Sequence, residues 1–120
     1  GDAKGRILNG EGANWLHGHH HGKAGVAYYE GWKANSNNVD PNTDWVVMCG
    51  TNAESQLKLV NGVSKGTADD GQGGVSLWVN GRGNYGESSD FAIAEVMVWD
   101  RGLTSEEMYG ASDYLLHKFG

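Results

Sequence analysis

Three groups of side chains in this 120-residue sequence have types and spacings that could do chemistry. The first is the run His17–Gly18–His19–His20–His21–Gly22. Imidazoles so spaced bind zinc, copper or nickel, and alternate residues of extended chain share a face, so His17, His19 and His21 form a candidate transition-metal set. The flanking glycines read as a loop, and an exposed turn with adventitious metal affinity is the simpler account. The second group is Asn35, Asn37, Asn38, Asp40, Asn42 and Asp44, all hard oxygen donors of the kind calcium takes. Asp40, Asn42 and Asp44 alternate as a candidate calcium set. No glycine and closing glutamate follow, so this is no EF-hand, and an ordinary Asx-turn loop explains it more simply. The third group is aromatic. Sugar recognition needs a ring face for apolar C–H patches, rimmed by amides and carboxylates that bond hydroxyls. Trp15, Tyr28, Tyr29 and Trp32 lie near the Asn-rich loop in sequence. Tyr28 and Tyr29 fall on opposite faces of a strand, so one of them faces outward. The candidate ligand set is Trp15, Tyr29 and Trp32 with Asn35 and Asn37.

Catalytic groups are sparse. Glycoside cleavage with retention needs two carboxyls roughly 5–5.5 Å apart. Glu95 stands alone in an apolar run and reads as a structural carboxylate bonded to backbone or to Arg101. Cys49 is the single cysteine, so no disulfide forms within the chain; its apolar neighbours Trp45–Met48 suggest a buried small hydrophobe, the alternative being a partner cysteine on sequence outside this chain. Gly81 to Gly86 lies in a β context, so nucleotide binding has no support. The sequence therefore reads as non-enzymatic.

The elements that must position these groups are mostly strands. Twenty glycines against one proline, without a G-X-Y period, imply many tight turns in a β-rich fold. Strands are expected at Gly5–Asn9, ending in an Asn9-Gly10 turn, then at Ala13–His17, Gly25–Trp32 and Trp45–Cys49. The clearest hairpin is Gln56–Val60, Asn61-Gly62, Val63–Ser64, because a type I′ turn needs φ > 0 at both central residues. Val75–Val79 leads to a second Asn-Gly pair at Asn80-Gly81. Phe91–Trp99 is apolar on both parities and reads as a strand covered on both faces, with Trp78 and Trp99 in the core. Thr104 and Glu107 spell a capping box for a helix from Ser105 to about Lys118, with Met108, Ala111, Leu115 and Phe119 on its apolar face.

Residues 1–34 carry four basic and three acidic residues, net +1, and residues 35–120 carry five basic and twelve acidic, net −7. No basic stripe exists for a phosphate backbone, so nucleic acid is excluded as a partner. No stretch approaches 18 apolar residues, so membrane insertion by a helix is not expected. The length suits a single domain spanning residues 1–120.

The run from Ser89 to Met108 (SDFAIAEVMVWDRGLTSEEM), ending in Tyr114–Leu115–Leu116, resembles the closing signature of concanavalin A-like lectin/glucanase domains, in particular their laminin-G-like branch. Arg6–Gly10, Asn14–Gly18 and Gly25–Tyr28 look like middle strands of such domains. The resemblance implies an all-β fold: an antiparallel two-sheet sandwich, or jelly roll, with one short C-terminal α-helix. It also implies an extracellular or cell-surface setting, and adhesion or lectin-like binding of a glycan or glycoprotein, with calcium at loop ends as the one cofactor to expect. Glucanase members carry an E-x-D-x-x-E run that this sequence lacks. Only the later part of a family member is covered, so further strands are expected upstream of Gly1 or from a neighbour. The principal rival expectation is a structural sandwich that packs with other subunits of an extracellular assembly, and a weaker one is a hydrolase whose carboxylates lie upstream of Gly1.

Overall fold

The computed structural model describes residues 5–29, 31–34, 39–41, 44–51, 53, 56–67, 76–80 and 87–119. The chain is mostly β. Its strands are β1 (Leu8–Glu11), β2 (Trp15–His20), β3 (Lys23–Tyr29), β4 (Trp32–Ala34), β5 (Met48–Gly50), β6 (Leu57–Val60), β7 (Val63–Thr67) and β8 (Ser76–Val79), followed by one helix, α1 (Ser105–Phe119). Among the described residues they form two antiparallel sheets, one in the order β4-β3-β2-β1-β8 and one in the order β5-β6-β7.

Two-residue turns set the pairing. Asn61 and Gly62 both have positive φ, 50° and 78°, as the Asn-Gly pair requires, and Val60 faces Val63 across the turn. His21 and Gly22 do the same at 48° and 76°, joining β2 to β3. The histidine run is thus a strand and its turn, not a loop: the glycines flanking it serve the β-structure. Asn9-Gly10, expected as a turn, lies inside β1 instead. The Asn9 side chain is fully buried and bonded to Arg6, and β1 is paired on both sides, so no reversal is possible there.

Strand β6 is buried throughout, and its two faces meet different layers. Leu57 and Leu59 pack with Leu103 and Met108, the latter on α1. Val60 packs with Ala24 and Met48, and Met48 also joins Ala27, Tyr29 and Trp15 of the larger sheet. Full burial of Leu59 contributes about 1.5–3 kcal/mol. The helix is held in register by its cap: the Glu107 N–H donates to Thr104 Oγ1 at 3.2 Å, and the Thr104 N–H donates to Glu107 Oε2 at 3.4 Å. Met108 is buried, Ala111 and Leu115 are half-buried, and Phe119 at the end of that face is exposed.

The largest departure from expectation is Phe91–Trp99, which joins neither sheet. Phe91, Glu95 and Met97 are half-buried, while Ala92, Ala94, Val96 and Val98 are exposed, Val98 at 74%. Burial thus follows a loose period of two with no ladder beside it, because no described strand lies alongside. Trp99 is exposed for the same reason. Trp78 is half-buried, Trp45 is exposed, and β5 begins only at Met48. Glu95 pairs with Lys118 at 2.8 Å rather than with Arg101, which binds Glu107 at 2.7 Å.

Candidate functional site

Strand pairing sorts the side chains of the larger sheet onto two faces. Trp15 is level with Tyr29, and His17 with Ala27, on the face that meets Met48. On the opposite face the register aligns Trp32, Tyr28, Leu16, Asn9 and Trp78 in one row across all five strands. A bulge keeps the pattern consistent beyond this row. Gly18 faces Val26 but His19 faces Ala24, so Gly25 (φ 75°) is the extra residue. His19 therefore stays on the face of His17, and His20 projects beside Trp32.

The row carries polar groups over its middle and rings at its ends. Arg6 is buried; its Nε donates to Glu87 Oε2 at 2.6 Å, Nη1 to Asn9 Oδ1 at 3.0 Å, and Nη2 to Asn14 Oδ1 at 2.8 Å. At one end Tyr28 meets Trp32 edge-on, with ring centroids 5.2 Å apart, and His20 lies 5.6 Å from Trp32. His20 Nδ1 is 3.4 Å from Glu87 Oε2. Burial holds the His20 pKa below its ordinary value, with the Glu87 carboxylate opposing that shift. At the other end Trp78 Nε1 donates to Glu11 Oε2 at 2.8 Å. Trp32 is 42% exposed and the Glu87 side chain 40%, while Tyr28, Trp78 and Asn14 are half-buried and Glu11 is exposed.

On the inward face the rings and polar groups satisfy one another, with Tyr29 buried and Trp15 and His17 half-buried. The rings of Trp15 and Tyr29 stack at 5.1 Å, and His17 stacks on both at about 6 Å. His17 Nδ1 and the Tyr29 hydroxyl are 2.7 Å apart. Burial lowers the His17 pKa to about 4, against a hydrogen bond to the Met48 backbone that raises it, and nearby Lys58 lowers it further. Burial also raises the Tyr29 pKa, with Cys49 adding to the shift. Near neutral pH the imidazole and the phenol are therefore both uncharged, and the His17 tautomer sets which of the two donates. Gly50 lies directly over the Tyr29 hydroxyl, where a Cβ would collide with it. The buried Lys58 ammonium bonds the Thr51 and Gln56 carbonyls and sits 5.2 Å from the Tyr29 ring centroid.

The expected ligand set is therefore split. Trp32 is on the row, Trp15 and the 3%-exposed Tyr29 are on the other face, and Asn35 and Asn37 lie outside the described residues. Tyr28, not Tyr29, accompanies Trp32. Of the calcium set, Asp40 and Asp44 are exposed and Asn42 is outside the described residues. His17 and His19 face inward and His21 occupies the turn. Among the described residues no group of three or more His, Cys, Asp or Glu side chains is placed to hold a metal ion. Arg6, Glu11, His20, Tyr28, Trp78 and Glu87 were not expected in one surface. Alternation in Gly25–Trp32 was the available signal for Tyr28, and the buried contacts of Arg6 had none. Cys49 is half-buried and burial raises its thiol pKa, in keeping with a small hydrophobe. No family model matches the chain, and neither the curated proteins nor the solved structures yield a match.

Proposed function

We propose that this chain is a non-catalytic recognition module of extracellular setting that binds glycans on the row from Trp32 to Trp78. The observation that carries the reading is the alignment itself: aromatic rings at both ends of a five-strand row, with Glu11, Asn14 and Glu87 between and beside them. Rings of this kind cover the C–H faces of a sugar, and carboxylates and amides bond its hydroxyls. Four inter-strand steps of about 4.8 Å each separate the two tryptophans, roughly 19 Å, which suits an oligosaccharide better than one sugar ring. The same reading takes the two sheets as layers of a concanavalin A-like jelly roll. It assigns calcium, if the ligand requires it, to the loop that carries Asp40 and Asp44.

A glycan array run with and without EDTA tests this. Binding that falls about tenfold in Trp32→Ala and in Trp78→Ala supports it. Absence of binding to every glycan under both conditions defeats it.

A further inference from the structure

The segment Phe91–Trp99 has the composition of a central strand and the hydrogen bonding of none. No backbone hydrogen bond joins it to any described residue. Unpaired backbone groups in a long apolar stretch are costly, so such a stretch is poised to pair. Between it and the sheets lies an open cleft of about 1570 Å3, lined by Trp15, His17, Trp45, Met48, Ile93 and Trp99 among others. That exceeds the roughly 300–1,000 Å3 of small-molecule sites and is the scale of a missing structural element.

We infer that this segment is a self-association strand, pairing antiparallel with Phe91–Trp99 of a second copy of the chain. Three observations favour a second copy. The segment has high β-propensity, no proline or glycine, and a single charge, Glu95, which Lys118 of the same chain neutralises. It is also self-complementary. A two-fold axis through its middle sets Phe91 opposite Trp99 and Ile93 opposite Met97, while each Lys118 offsets the meeting of the two Glu95 carboxylates. Finally, the area is adequate. Trp45, Trp99, Tyr114 and Phe119 are 43–64% exposed, and Ile93, Val96 and Val98 40–74%. At roughly 150–250 Å2 per aromatic side chain and somewhat less per aliphatic one, the patch offers about 600 Å2 before any backbone is counted. That approaches the roughly 800 Å2 per partner of a standard interface and stands at the top of the roughly 300–600 Å2 range of the largest apolar patch on a typical monomer. The net charge of −6 opposes association at long range, so added salt strengthens it.

The glycan row is on the other face of the larger sheet, and the inference does not depend on it. Its test is the solution mass against protein concentration, with amide hydrogen exchange at each end of the range. The expected result is a rise from 12.9 kDa toward twice that value, with residues 91–99 gaining protection as the dimer forms. In the frame that makes Ala94 and Val96 a hydrogen-bonded pair across the axis, Ala94→Pro removes a ladder donor where the single chain makes no hydrogen bond, so it leaves the monomer folded and weakens dimerisation about tenfold or more. Val96→Lys sets like charges near each other across the pair and acts in the same direction. A single-chain mass at every concentration overturns the inference and leaves the segment to a strand of a different polypeptide. A dimer whose 91–99 amides stay unprotected, or that ignores both substitutions, overturns it equally.

Discussion

The two faces of the five-stranded sheet carry aromatic clusters of similar composition and opposite character. Trp15, His17 and Tyr29 are stacked, hydrogen-bonded and pressed against β5, so every ring is fixed by a neighbour. Tyr28, Trp32 and His20 meet edge-on or tilted, and Trp32 keeps 42% of its surface in water. Rings that satisfy one another contribute to folding; rings left half open beside carboxylates keep apolar surface in water. Adjacent residues, Tyr28 and Tyr29, thus join different clusters because alternation sends them to different faces.

Substitutions separate the two clusters, and the largest effect is expected from the inward one. Tyr29→Ala removes a buried ring and costs about 3–5 kcal/mol of stability, measured by chemical denaturation. Gly50→Ala acts on the same contact: its Cβ meets the Tyr29 hydroxyl, and forcing the ring aside costs roughly 1–3 kcal/mol.

Acid titration should reveal His17. Its folded pKa of about 4 lies below the ordinary value of 6.5, so between those values the unfolded chain binds the proton that the folded chain refuses. Stability contributed by the neutral ring is complete above pH 6.5, falls as pH drops toward about 4, and changes no further below it; the loss is at most about 3 kcal/mol. A denaturation midpoint that stays level across this window would remove His17 from the inward cluster. Trp32→Ala should be the mildest for folding, within about 1 kcal/mol of the parent, while lowering glycan affinity. If it unfolds the protein, the contrast between the faces is lost.

Local chemistry was legible in the sequence wherever it decided the structure alone. The Asn61-Gly62 turn and the Thr104–Glu107 cap each rest on residues within three positions of one another, and both formed. Long-range partners decided the rest. Asn9-Gly10 carries the same turn signal as Asn61-Gly62, yet Arg6 takes the Asn9 side chain and two strands flank β1, which no local rule registers. The histidine run looked like a loop because its glycines were counted as breakers, whereas Gly22 completes a turn and Gly18 sits inside β2 at φ 133°. Phe91–Trp99 has a strand's composition, but composition cannot supply the neighbour a strand needs. At the candidate site the aromatic residue types were visible, while the face each occupies hung on the register and on one bulge at Gly25.

The five tryptophans give the most direct test of the claim that only the outer face of the larger sheet binds. In a two-dimensional 1H–15N NMR titration with the oligosaccharide that binds best on the array, each indole N–H is a separate reporter. The Trp32 and Trp78 indole signals are expected to shift and saturate together while that of Trp15 stays in place. Movement of Trp15 with Trp32 and Trp78 unmoved would contradict that claim.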